Sequence, residues 1–374
     1  MAAPRVQAAL VHEMALELGF DLAGVAPLRR PHRAREFEDW LLAGRHAGMT
    51  WLERGRERIL DPRGTLPEGR SLLVVGLGHS RGAAETVEGA RVARYAAGRD
   101  YHNYFKKRLV RLARRLERLG LAGAWRAVAD AGPLMERSHA AEAGLGFESK
   151  AANLLHPTWG PWFFLGELLL EAEIEPTPAP PAGSCGTCRA CIDACPTGAL
   201  IEDGVLDANR CLSYHTIENH GSIPHELRDA AGEWAFGCDV CSEVCPWGSS
   251  ATDTTSRLGT HPVLELGVLG WFETPARRWS QVFNGSVLQR PARDGLLRNG
   301  ALTLAARPSD EGRSTLERAL DSEASPFVRE AVYWALARAH RDEGRVREAL
   351  DSAEAREPDE SARSRMARTR RELL

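Results

Sequence analysis

Apolar positions recur along this chain at two spacings, and each spacing predicts a different element. In YFKKRLVRLARRLERL (104–119), Phe105, Leu109, Leu112, Leu116 and Leu119 fall every three or four residues, while Lys106, Lys107, Arg108, Arg111, Arg114, Arg115 and Arg118 occupy the other faces. That pattern predicts one amphipathic helix. SLLVVGL (71–77), WRAVAD (125–130) and PWFFLGELLL (161–170) are short apolar runs that predict strands. Helical patterns and strand runs alternate as far as the third of these, which predicts an α/β or α+β domain. VVGLGHSRG (74–82) follows a strand run, but its glycines at 76, 78 and 82 miss the G-x-G-x-x-G spacing by one residue. We read a turn there and no nicotinamide site.

EPTPAPPAGS (175–184) breaks any regular element, because prolines remove backbone donors and favour extended chain. A domain boundary is expected at this point, giving 1–174, a cysteine-bearing module over 175–255, and a helix-rich region over 256–374. Within the last, LLRNGALTLAAR (296–307) aligns with FVREAVYWALAR (327–338) at an offset of 31, Arg298 matching Arg329 and Arg307 matching Arg338. Two helices at such a period predict a small α-solenoid of the HEAT kind, the plain alternative being two unrelated amphipathic helices.

Composition narrows the class. The chain has 374 residues, 43% hydrophobic and 26% charged, as in ordinary globular proteins. No run of about 18 apolar residues exists and the start, MAAPRVQAALVHEM, has no apolar signal core, so a cytoplasmic protein without membrane association is expected. A formal net charge of -3 does not mark the whole molecule as a nucleic-acid binder. Any such partner must meet a local basic surface, and the helix over 104–119 and the tail arginines Arg363, Arg365, Arg368, Arg370 and Arg371 are the candidates. A solvated basic face is the plain reading of the helix, and a frayed end that of the tail.

All eight cysteines fall between Cys185 and Cys245. With no export signal, that clustering favours metal ligation over disulfides. Cys185, Cys188, Cys191 and Cys195-Pro196 reproduce C-x2-C-x2-C-x3-C-P, the run of bacterial two-cluster ferredoxins, in which the fourth cysteine serves the other cluster. A second set follows in Cys238, Cys241 and Cys245-Pro246, and the lone Cys211 completes eight. The crossed pairing gives one [4Fe-4S] cluster to Cys185, Cys188, Cys191 and Cys245, and the other to Cys195, Cys211, Cys238 and Cys241. Paired C-x2-C knuckles also make zinc sites, but zinc needs neither a proline-terminated run nor crossed ligands.

Several stretches resemble the epoxyqueuosine reductase family: ARYAAGRDYH (93–102), DAGPLMER (130–137), AGLGF (143–147), NLLHPTWGPWFFLGE (153–167), CLSYHTIENHGSIP (211–224), GCDVCSEVCPW (237–247) and GLLRNGAL (295–302). The resemblance implies an α+β protein: an N-terminal α/β domain binding cobalamin, a ferredoxin-like module with two [4Fe-4S] clusters, and C-terminal HEAT-like helical repeats. It implies reduction of epoxyqueuosine to queuosine at the wobble position of tRNA, the last step of queuosine synthesis, with electrons passing through the clusters to cobalamin. The partners implied are the tRNA anticodon loop and an external electron donor, and the chain is expected to act as a monomer. Asp130 matches the proton donor, and enclosure in a pocket would raise its pKa. Arg94, Tyr101, Asp130, Lys150, Asn153, Ser213 and Asp239 lie in matching segments as corrin contacts. Asp100-Tyr101-His102 approaches the D-x-H-x-x-G box of cobalamin proteins but lacks its glycine, so His102 is not read as a cobalt ligand. The chain departs from the family at Glu142, where an arginine is usual, at Phe147 to Ala151, and at Gly248. The rival readings are a corrinoid iron–sulfur reductive dehalogenase-like enzyme, which normally carries a twin-arginine signal, and a two-cluster electron carrier, for which a large first domain has no use.

Overall fold

The computed structural model describes residues 8–79, 82–178, 183–251 and 257–374. Residues 179–182 of the proline-rich break, and Ser80 and Arg81 after the apolar run 71–77, lie outside the described residues. Backbone contacts divide the chain into two compact units, each assembled from separate stretches. The first comprises Met1–Arg81, Asp100–Asn209 and Val240–Leu258, and the second Gly82–Arg99, Arg210–Asp239 and Gly259–Leu374.

The first unit is built on a four-stranded sheet of β1 (Leu22–Pro27), β2 (Ser71–Gly78), β3 (Trp125–Val128) and β4 (Phe163–Leu170), in the order β1-β2-β4-β3. Every pairing is antiparallel. The expected N-terminal α/β domain is therefore α+β in the strict sense, since this sheet has no parallel pair among the described residues. β2 is buried along its whole length, as its unbroken apolar run requires. Gly76 and Gly78, expected to make a turn, lie inside this strand. At Gly78 a Cβ would come within 2.0 Å of the Trp159 ring, so close packing, and not a turn, calls for the glycine.

Among the helices packed on this sheet, two bear on the site. α1 (Tyr101–Arg118) buries Phe105, Leu109, Leu112 and Leu116, as its stripe predicts, and Phe105 packs where Gly166 of β4 leaves room. Leu119, the last residue of the expected stripe, is exposed beyond the helix end. Part of the basic face is used within the fold: Arg108 donates to the Leu18 carbonyl at 3.0 Å and lies over the Tyr104 ring, and Arg115 pairs with Glu17 at 2.8 Å. α2 (Glu136–Glu142) packs with Leu72 and Val74 of β2 and Leu169 of β4 in one apolar cluster.

The second unit is mainly helical. α3 (Ala292–Ala306), α5 (Pro326–His340) and α7 (Glu360–Leu373) pack in one row, while α4 (Asp310–Ser322) and α6 (Gly344–Arg356) pack in another. α3, α5 and α7 begin thirty-four residues apart, as do α4 and α6. The period thus exceeds the offset of 31 that best aligned the sequence. Arg293–Glu323, Arg313–Glu343 and Arg329–Glu357 pairs tie each helix pair to the next. No helix among the described residues is long and apolar enough to cross a membrane.

Candidate active site

Two constellations in the first unit carry chemistry. The first is a ring of cysteines. Cys185 and Cys188 lie in one turn, closed by the Cys188 N–H donating to the Cys185 carbonyl at 3.0 Å, and Cys191 sits in the short helix Ala190–Asp193. Cys245 stands at the N-terminus of Pro246–Ser249, where proline at the first helical position needs no donor. These four side chains, with Cys241, line one cavity of about 230 Å³. Among the described residues no three Cys, His, Asp or Glu side chains close on a point that a single ion could fill; the thiols surround a space instead.

The electrostatics fit a cationic occupant. Burial raises the Cys191 thiol, and Cys185 and Cys245 add like-charge repulsion. Thiolates so close need positive charge between them, and iron in a cluster supplies it. The Lys150 N–H lies 3.5 Å from the Cys185 sulfur, a backbone donor to a thiol. Burial also opposes ionisation of Cys195, yet the N–H groups of Leu200, Thr197 and Ala199 hold that thiol below its usual range, the last at 3.2 Å. Cys211 caps the helix Leu212–Ile217 and Cys238 follows the strand Trp234–Phe236, both in the second unit.

The second constellation surrounds Asp130, two residues past the end of β3. Its φ of 56° is left-handed, unusual for a residue with a Cβ. Its N–H donates to the Glu136 carboxylate at 2.6 Å, and its own carboxylate lies 3.2 Å from His102 Nε2. The other ring nitrogen of His102 is 2.6 Å from Asp100, the N-cap of α1. The bonds to Asp100 and then Asp130 push His102 up to about 9, so it is cationic at neutral pH and donates to both. The reciprocal bond holds Asp100 below the ordinary carboxylate range. The expected enclosure of Asp130 is not found, because the turn leaves its side chain 60% exposed.

The remaining residues marked in the sequence fall into separate places. Tyr101 is buried, stacked between Phe164 and His102 with ring centroids 4.3 and 4.2 Å away. Asn153 lines the cysteine cavity and donates to Ser242 at 3.3 Å, and Lys150 pairs with Asp203 at 3.2 Å. In the second unit the Arg94 N–H donates to Asp239 at 2.7 Å, and Ser213 lies in the first turn of Leu212–Ile217. Sequence reading missed His102 as a partner of Asp130, and it missed Glu136 and Glu167 altogether. The one signal for Glu167 was a charge in the middle of an apolar strand run.

A family model described as "4Fe-4S double cluster binding domain" matches residues 184–248, and one described as "Epoxyqueuosine reductase QueG, DUF1730" matches residues 60–131. An epoxyqueuosine reductase of Synechococcus sp. (strain CC9605) is 39% identical over 287 residues, covering 74% of this chain and 88% of that protein. That of Xanthomonas campestris pv. campestris is 35% identical over 347 residues, covering 89% and 96%. The chain belongs to the epoxyqueuosine reductase family. A crystal structure of epoxyqueuosine reductase with a tRNA-Tyr epoxyqueuosine-modified tRNA stem loop shares the fold, with TM-score 0.87, 24% identity and 98% of each chain covered. The double-cluster match spans all eight cysteines, and the epoxyqueuosine reductase match ends just past Asp130.

Proposed function

We infer that this chain reduces epoxyqueuosine to queuosine at the wobble position of tRNA. Removing the oxygen takes two electrons and two protons: both epoxide C–O bonds break, an alkene forms and water leaves. Two [4Fe-4S] clusters and cobalamin supply the electrons when bound, fed by an external donor. Cys185, Cys188, Cys191 and Cys245 hold one cluster, and the spacing of the run assigns Cys195, Cys211, Cys238 and Cys241 to the other. Asn153 lines the cavity of the first set, so a residue marked for the corrin and the residues marked for a cluster share one surface. Lys150, Tyr101, Arg94, Ser213, Asp239 and Asp130 complete the proposed corrin contacts. Functionally, 1–174 carries the cobalamin site, 175–255 the ferredoxin-like module and 256–374 the HEAT-like helices, in a cytoplasmic monomer.

Asp130 acts as the proton donor. Its exposure suits a substrate that is a base on a large RNA, since loop bases are read by splaying them out of the stack. The docked loop then provides the enclosure that the free chain lacks. His102, cationic and anchored by Asp100, stands ready to return a proton to Asp130 after each transfer, which a reaction consuming two protons requires. The observation that carries this reading is the Asp100–His102–Asp130 chain of hydrogen bonds. The test is turnover of epoxyqueuosine-tRNA by the anaerobically reconstituted protein with a chemical reductant, nucleosides being read by mass spectrometry. Asp130→Asn is expected to lower kcat by about 100-fold or more while iron and cobalt contents stay unchanged. Full activity in that variant would remove the acid role.

A further inference from the structure

β4 buries one charged side chain in an apolar row. The register sets Glu167 opposite Val74 of β2 and Val128 of β3, on the sheet face that carries Leu165 and Leu169, and the residue is wholly buried. Among the described residues neither of its oxygens has a donor. The group that faces it is another carboxyl, that of Glu136 at the start of α2. Two carboxylates cannot satisfy each other, because both only accept and burial opposes their charge. A single shared proton makes one of them a donor and removes the repulsion. Burial, with Asp130 adding repulsion, pushes Glu136 up to about 7, and burial with Glu136 beside it raises Glu167 well above the ordinary range. The pair keeps a proton near neutral pH.

Glu136 also accepts the Asp130 N–H at 2.6 Å, and it does so where the aspartate backbone is left-handed. Such a conformation costs on the order of 1 kcal/mol and persists only where the surroundings hold it. We propose that Glu136 is the positioning residue of Asp130, fixing its backbone in the left-handed turn, and that Glu167 fixes Glu136 by sharing a proton with it. This rests on the reading of Asp130 as the acid. The other charged groups around the pair are Asp130, His102 with Asp100 behind it, and Arg137 beside Glu136. Once the shared proton is lost, the two carboxylates repel and the hold on Asp130 loosens. Glu136 ionises first, at about 7, with Glu167 donating to it, and the rate falls at higher pH, as Glu167 too gives up its proton. Stability falls in the same direction: a carboxyl raised from 4.5 to about 7 keeps a proton that the unfolded chain releases, and that contribution is lost as pH rises through the folded value.

The experiment compares Glu136→Ala, Glu136→Gln, Glu167→Gln and Asp130→Asn as reconstituted holoenzymes on epoxyqueuosine-tRNA. Glu136→Ala should lower kcat by about 10- to 100-fold with KM and cofactor content unchanged. Glu136→Gln, whose amide oxygen still accepts the N–H, should recover most of that loss. Glu167→Gln donates to Glu136 at every pH, so its kcat and thermal stability should lose the alkaline decline. Wild-type kcat in Glu136→Ala beside an inactive Asp130→Asn would overturn the positioning role alone, as would a glutamine variant no better than alanine. If Glu136→Ala fails to fold, an unchanged alkaline decline in Glu167→Gln overturns the proposal. An active Asp130→Asn would instead sink the acid reading beneath it.

Discussion

Arg298 and Glu167 are both charged side chains sealed from solvent, and the protein treats them in opposite ways. Arg298, on α3, donates to the carbonyls of His215, Asn219 and Gly221 and to the Asn299 side chain, while Asn299 donates to the carbonyls of Thr216 and Ala235. Burial, with Arg228 nearby, brings its guanidinium down to about 9, which still leaves it charged at neutral pH. Every donor group has work, and the result is a clamp on the segment that follows Cys211 and Ser213. Glu167 faces only another acid. A fully satisfied buried charge fixes structure, whereas an unsatisfied one holds a proton where a reaction can feel it.

Substitutions at the two sites should separate these roles. The largest effect is expected from Arg298→Leu, which leaves three backbone carbonyls of the 215–221 segment unpaired in the interior. It should lower unfolding stability by about 3 to 5 kcal/mol in urea titration. A smaller shift of opposite sign is expected from Glu167→Leu: a gain of about 1 kcal/mol above neutral pH, with slower turnover. Loss of stability there as large as at Arg298 would erase the contrast. The smallest change is expected from Arg293→Met, which removes one half-buried pair with Glu323 between helix pairs. About 1 kcal/mol or less should be lost, by the same titration.

Much of this arrangement was legible in local sequence. The stripe Phe105, Leu109, Leu112 and Leu116 marked α1, and the apolar runs marked β2, β3 and β4. The run from Cys185 to Cys191, with Cys245 supplied from afar, follows from how few thiolates one tight loop can offer a cluster. Strand order was not legible, because an apolar run says that a strand is buried and not which neighbour buries it. The same gap hid Glu167. Its place in FLGELLL was plain, but only the pairing with Val74 and Val128 shows which face it occupies and that Glu136 lies there. The repeat offset failed for a related reason: aligning Arg298 with Arg329 matched two arginines with different duties, a clamp on carbonyls and a partner for Glu357. Asp130 was found through family resemblance, and nothing local in WRAVAD announces its left-handed turn or its bond to His102.

The account depends on eight thiolates holding two iron–sulfur clusters. The most direct measurement is iron, acid-labile sulfide and zinc analysis of protein purified without oxygen. About eight iron and about eight sulfide per chain, falling by about half in a Cys185→Ala/Cys188→Ala variant, is the predicted result. Zinc in place of iron, with no sulfide released on acidification, would contradict it.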